Sequence, residues 1–583
     1  PANQSRRTGP DTVLRNCVAR GACERRVRRE PEVVVGAELN DGPAIEHHAR
    51  ADTARQHPQP AAERMRIAVT QPGSKRLVEP QPSCGANHRA WIVPRRHRRR
   101  RFRLATLARC ATLRVHGGSP LMARLAPCVV GAALFCLLAT QNSAGYRYGV
   151  QDQSFYIPAI ERHLDPTLFP HDSAVLDAQD QLLAFDNATA GLVRLTGWPL
   201  PTVFLGAQLA TLLILFAGTV GIGRRLYRSW LSVAGLAFAL TLRHQITDTS
   251  VNTLEGYFHP RVLAFSIGVT ALLLFLRGRS WPALAVAAVA GLLHPMIGFW
   301  FVIWLGAATA VADPHHRRLL GGATLVGLAT VAVILFWGPL EEQLVVMDDT
   351  WLAVLVSKDY LFANDWPWAS WVVNLGYGAT IGAVYWYRRS TIGVSAQETG
   401  LAVGCGVLLA IFILSVPFVA AGVALAVQAQ ISRMFWMLDF FCTIYVVWLL
   451  VENPSRPRWG LSANQVRYAG LAVLAVAAVA RGSYVMWIEN PERPLIEARV
   501  PSSDWQRVMA WSARTTRGTN LLVDPGHAWR YGSSVRVAGR RDVYLEEIKD
   551  TGMAIFSNPV ARRVANAYRT LATSRHSPRP AHE

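Results

Sequence analysis

Long apolar blocks separated by short charged breaks run from about residue 123 to residue 487. A helix needs about 17–25 residues to cross roughly 30 Å of hydrocarbon. Blocks of that character predict spans at 123–140, 199–222, 229–243, 261–277, 281–293, 295–312, 319–337, 367–387, 398–416, 431–451 and 465–487. The blocks at 229–243 and 281–293 are short for the task, which is tolerated where the backbone packs on protein or lines a cavity. Pro417 to Gln428 reads as a half-span or a bent continuation. From Pro501 the pattern turns soluble. Asp504 is expected to cap a helix carrying Trp505, Val508, Met509 and Trp511; Thr519 to Val523, Ser534 to Val537 and Asp542 to Leu545 read as short strands, and Pro559 to Leu571 as a closing helix.

The expected fold is therefore mainly α: a polytopic transmembrane helical bundle of about eleven spans over 122–488, with a long external loop at 141–198. A small external α/β domain follows at 500–573, then a disordered tail at 574–583. Composition agrees, since 51% apolar residues and a mean hydropathy of +0.18 over 583 residues exclude an ordinary soluble enzyme.

Charge sharpens the picture in two ways. Residues 1–116 hold 24 Lys and Arg against 10 Asp and Glu, so two-thirds of the net charge of +21 lies there. The basic excess thus belongs to an N-terminal extension and does not make a nucleic-acid face on the folded body. The extension lacks periodicity and contains the run Arg95 to Arg101. It reads as disordered or mis-translated sequence, with an arm for anionic lipid or nucleic acid as the alternative. The chain opens on Pro1, and Met122 stands just before the first apolar block, so Met122 is the expected start. Arg124 and the run to Leu138 would then form a signal anchor, or a signal peptide cleaved within the flank Ala139 to Gly145.

Within the body, alternate short loops carry arginines: Arg224, Arg225 and Arg228; Arg277 and Arg279; Arg317 and Arg318; Arg388 and Arg389; Arg456 and Arg458. Such loops are expected on the cytoplasmic side. The opposite loops are long, aromatic and acidic, which places Asp152 and the C-terminal region outside. Cysteines add no framework: no CxxC pair or Cys/His metal spacing occurs.

Candidate chemistry gathers on the outer side. The segment Tyr146-Arg147-Tyr148-Gly149-Val150-Gln151-Asp152-Gln153-Ser154-Phe155-Tyr156 places a carboxylate, amides and three tyrosines directly after the first span. Asp152 is the candidate catalytic carboxylate, with N-capping of the following helix as its structural alternative. Arg243, His244, Glu255, His259 and Arg261 cluster at the outer ends of the third and fourth spans. His294-Pro295 breaks a 31-residue apolar run and suits a turn at the outer surface. Arg433 stands at the outer start of the 431–451 block; facing Arg261 it would make a two-cation phosphate site, while Asp439 is its alternative, structural partner. Asp152 with Glu161, Asp165 or Asp172 supplies oxygen atoms that suit Mg or Mn, although no compact motif specifies a divalent metal. Serine-hydrolase, P-loop and Rossmann motifs are absent.

On Tyr148-Gly149-Val150-Gln151-Asp152-Gln153-Ser154-Phe155-Tyr156 the chain resembles the GT-C-type integral membrane glycosyltransferases, which place a catalytic carboxylate in the first external loop. Many members carry a second acid beside the first, where this chain has Gln153. Phe258-His259-Pro260-Arg261, Leu292-Leu293-His294-Pro295 and Trp529 to Glu546 look like segments of bacterial membrane proteins of similar layout. The resemblance implies a bacterial inner-membrane protein with a cytoplasmic N-terminus and a periplasmic or extracellular C-terminal domain. It also implies a polyprenyl-phosphate-linked sugar donor and a glycan, lipid or protein acceptor, with no nucleic-acid partner. Asp152 takes the catalytic position in that reading; Gln153, Tyr156, Arg243, His259, Arg261, His294 and Arg433 are the candidate substrate-binding residues. A transporter or lipid carrier on the same helices is the runner-up, followed by a non-catalytic envelope assembly protein.

Overall fold

A computed structural model describes residues 120–180, 184–337, 344–453, 462–500 and 502–574. The N-terminal extension at 1–116, the loop with Arg456 and Arg458, and the tail past Ser574 lie outside the described residues. The chain is mainly helical, and each block read as a span is a helix. Among the described residues five helices are long and apolar enough to cross a membrane: Leu200–Leu226, Pro295–Ala312, Ala396–Ala420, Ala424–Glu452 and Ala463–Glu489. Four apolar helices are shorter: Ala126–Asn142, Trp230–Thr241, Pro260–Leu276 and Ser280–Leu293. The expectation of about eleven full-length spans is thus met in part.

Small residues let these helices approach closely, which compensates for the lack of a hydrophobic driving force between helices in lipid. A Cβ on Gly400 would stand 2.4 Å from the Ala308 carbonyl oxygen, and one on Gly404 2.5 Å from Trp304 Cδ1. Trp304 Nε1 donates to the Leu401 carbonyl at 2.9 Å, so the Pro295–Ala312 and Ala396–Ala420 helices are pinned by a buried hydrogen bond as well as by packing. At the bundle centre Phe265 stacks on Trp436, with ring centroids 4.0 Å apart. Lower down, Arg388 donates to Glu398 at 2.7 Å and lies over the Trp448 ring at 4.6 Å, so this buried cation is paired and desolvated together with its partner.

The first long loop folds back onto the bundle. Tyr146–Arg147 pairs in parallel with Ile496–Glu497, tying the start of the loop to the segment after the last long helix. Gly149 then turns with φ +79°, a region that disfavours any Cβ, and its own would meet Val500 and Val537 at 3.0 and 3.1 Å. Tyr148, Tyr156, Phe185, Phe204 and Phe258 follow as a tilted and edge-to-face aromatic cluster that seats the helix Gln153–Leu164.

The C-terminal segment departs from expectation in detail. Ser534 to Val537 is not a strand: Ser534 caps the short helix Val535–Ala538 by accepting from Arg536 N at 3.1 Å. A short apolar run does not distinguish a buried strand from a buried helix. Among the described residues of this segment, strand pairing is confined to Asn520–Leu521 with Asp542–Val543, in parallel. The helix at Asp504–Ser512 is capped by Ser503, one residue before the expected Asp504. The last helix runs Asn558–Ser574, and before it lies an unforeseen short helix, Glu547–Met553.

Candidate active site

Gln153 explains how the first loop is held. Its Oε1 accepts from Gly149 N at 2.6 Å and its Nε2 donates to the Phe258 carbonyl at 3.0 Å. Only an amide supplies both an acceptor and a donor here, and a carboxylate would face the Phe258 carbonyl without a proton. Gln153, expected to bind substrate, is fully buried and is not among the residues that line the cavity described below; its amide braces the loop. The brace brings the residue before it, Asp152, beside the residue after Phe258, His259.

Asp152 does not cap its helix: its backbone is helical and its side chain makes no cap hydrogen bond. Instead the carboxylate points into a cavity of about 340 Å³ and remains 31% exposed there. Its Oδ2 is 3.1 Å from His259 Nε2 and 3.4 Å from the Tyr257 hydroxyl, while Oδ1 is 2.9 Å from Lys549 Nζ. His259 Nδ1 accepts from the backbone N–H of Arg261 at 3.0 Å, so the ring proton sits on Nε2 and is donated to Asp152. Burial alone would push the Asp152 carboxyl up, but the Lys549 ammonium, the His259 hydrogen bond and the Arg261 charge hold it well below the usual carboxylate range. Burial and then Arg261 push the His259 imidazole down to about 4, against the pull of Asp152, so the ring is neutral at neutral pH.

Arginines form the opposite wall. Arg261, just inside the Pro260–Leu276 helix, donates through Nη2 to Glu255 Oε1 at 3.0 Å, with both side chains buried. Arg433 lies on the turn Ile431–Met434, after Gln430 in a left-handed conformation (φ +44°). No carboxylate among the described residues pairs with Arg433, and its buried Nε has no partner. Asp439, the alternative partner, accepts from His244 at 3.0 Å instead. His294 sits at the break between Ser280–Leu293 and Pro295–Ala312 and lines the same cavity, 8% exposed, with Nδ1 unpartnered.

Asp152, Tyr156, His259, Arg261, His294 and Arg433 therefore converge on one cavity. Arg243 does not reach it: its Nε donates to the Leu254 carbonyl at 3.0 Å and its Nη2 lies 3.9 Å from Glu255, which makes it a support of the Glu255 loop. The acids considered for a metal go to arginines: Glu161 to Arg540 at 3.1 Å, Asp165 to Arg517 at 2.8 Å, Asp172 to Arg536 at 2.8 Å. Among the described residues no group of three or more His, Cys, Asp or Glu is placed to hold a metal ion.

Sequence reasoning missed Lys549, which lies 397 residues from Asp152, and Lys358, whose Nζ donates to the Ile548 carbonyl at 3.0 Å. A lysine in a polar stretch carries no local signal of burial. Tyr257 and Tyr360 were also missed; both line the cavity. Comparison with protein-family models finds no match, and comparison with curated proteins finds none either.

Proposed function

We propose that this protein is an integral membrane glycosyltransferase of the GT-C kind, which moves a sugar from a polyprenyl-phosphate donor to an envelope acceptor at the outer face of a bacterial inner membrane. The observation that carries the reading is one cavity that joins a carboxylate to two guanidinium groups, the buried Arg261 and the half-buried Arg433. The Pro260–Leu276 helix carries Arg261 in its first turn and is followed by Arg277, one of the loop arginines, which supports placing the cavity on the face away from those loops. The shorter apolar helices then cross as well, packed on protein, and with Arg317–Trp337 and Trp368–Thr391 they bring the passages to about eleven.

In the reaction, the acceptor hydroxyl oxygen attacks the anomeric carbon as the bond from that carbon to the phosphate oxygen breaks. The bonding pair leaves with the lipid phosphate, whose growing charge Arg261 and Arg433 stabilise. The hydroxyl proton passes to Asp152, which first holds the hydroxyl in line. His259 and Tyr257 keep the carboxylate oriented throughout.

The test is transfer from a panel of short-chain polyprenyl-phosphate sugars in proteoliposomes, read as release of polyprenyl phosphate. Wild type is expected to release it, and Asp152→Asn to lower the rate about 10²–10⁴-fold. Release unaffected by Asp152→Asn would overturn the mechanism. Uptake of labelled substrate without release would favour the carrier reading.

A further inference from the structure

The two oxygens of Asp152 are held in different ways. Oδ2 is anchored by Tyr257 and by His259, whose ring is itself fixed by the Arg261 backbone N–H. Oδ1 is held by Lys549 alone among the described residues. Lys549 comes from the other end of the chain, is 5% exposed, and rests its ammonium over the Phe155 ring at 5.0 Å. An ammonium has three protons to donate, and Asp152 is the one acceptor this one has among the described residues.

The backbone beneath Lys549 is fixed. Asp550, the next residue, accepts from Arg536 at 2.7 Å; Lys358 holds the carbonyl of Ile548, the residue before. Trp351 Nε1 donates to the Ala554 carbonyl at 2.6 Å, just past the end of the helix. Movement is left to the side chain, whose four-carbon stem is flexible.

The cavity also contains a reason to move. Its wall carries four cations, Arg261, Lys358, Arg433 and Lys549, against two carboxylates, Asp152 and Glu255. Arg433 Nε and His294 Nδ1 are buried without partners. Positive charge in excess and unpaired polar atoms in a desolvated pocket are costly until an anion enters.

We propose that Lys549 is an exchangeable counter-ion for Asp152: an anionic ligand entering the cavity draws the ammonium away from Oδ1, and the freed oxygen then receives the acceptor hydroxyl. Lys549 is thus a positioning residue that imposes an order, anion before acceptor. Oδ2 stays anchored, so the carboxylate keeps its orientation while one oxygen changes partner. The acceptor half of this inference rests on the transferase reading; the exchange itself does not.

The test measures binding of hexyl phosphate, a phosphomonoester, to the full chain in detergent micelles by calorimetry. Wild type, Asp152→Asn, Lys549→Met and the double variant form a cycle. Asp152→Asn removes a repulsive charge and also releases Lys549, and is expected to tighten binding about tenfold. In the Lys549→Met background only the charge effect remains, and the gain should fall to about threefold or less. Lys549→Arg should restore most of the difference. Equal tightening in both backgrounds, or no binding to wild type, overturns the proposal. Should Lys549→Met not fold, Lys549→Gln replaces it, with the melting temperature as the check. A non-additive cycle in a protein that transfers no sugar would remove the transferase reading and leave the exchange; additive binding in an active transferase would do the reverse.

Discussion

Arg536 donates through Nε to Asp172 Oδ2 at 2.8 Å, with the two side chains 1% and 0% exposed. The same guanidinium reaches Asp550 at 2.7 Å, and so connects the first long loop to the helix that carries Lys549. Burial opposes the charge on Asp172, but Arg536 and Arg563 outweigh it and hold the carboxyl below its ordinary range. Removing one partner of a buried pair leaves the other charge uncompensated, which costs about 3–5 kcal/mol. Arg536→Met is therefore expected to lose roughly that much stability in denaturant unfolding in micelles. A loss below about 1 kcal/mol, the range of exposed pairs, would show the network to be solvated.

His259 makes the fold sensitive to mild acid. Its imidazole is pushed down to about 4, whereas an unfolded histidine takes up a proton near 6.5. Between those values the unfolded state binds the extra proton, so stability falls as pH is lowered through the window. The loss approaches about 3 kcal/mol at its lower end, from roughly 1.4 kcal/mol per unit. Glu161, raised to about 6 by burial against the pull of Arg540, acts in the opposite sense: the folded state takes its proton first, and stability rises as pH falls through 6. Asp152, held low, gives up its contribution only below the window. The difference between wild type and His259→Gln isolates the histidine. Melting temperatures from pH 7.5 to 4.5 should show a shallower acid decline for the variant, and parallel curves would refute the assignment.

Gly298 is the tightest point of the turn that presents His294. A Cβ there would stand 2.2 Å from the Cα and N of Gly291, on the neighbouring helix. Backbone cannot yield as a flexible side chain does, so Gly298→Ala is expected to cost about 1–3 kcal/mol and to displace His294. Gly306, on the same helix with nothing within 4 Å, is the control. There alanine should be neutral or slightly stabilising, because it is the better helix former. Thermal melts of both variants decide the matter.

Sidedness can be tested directly. With the native cysteines replaced, single cysteines at Arg389 and Arg517, both exposed, should label from opposite faces of sealed, oriented vesicles. Labelling of both from one face would contradict the arginine-loop reading and move the cavity to the other side of the membrane.

The helices were legible because a lipid or protein surround demands long apolar runs, and such runs are local. The candidate wall was legible for a related reason. A charged residue at the end of an apolar helix is costly unless it has a task, and Arg261, His294 and Arg433 stand at such ends. Asp152 was found by its place after the first apolar block, yet its capping alternative fails because the helix begins without using the side chain. Arg243 carries the same local signature as Arg261 and was read alike, although it turns to the Leu254 carbonyl.

Sequence by itself thus determined the helical class, the apolar blocks, and the residues at the helix ends. Hydrophobic periodicity and charge cost act over a few residues and can be read in one dimension. Tertiary structure alone decided which ends meet. It set Asp152 against His259 through the two-sided amide of Gln153, and brought Lys549 across 397 residues to one oxygen of that carboxylate. Those choices depend on hydrogen-bond directions and close packing between distant segments, which leave no periodic trace along the chain.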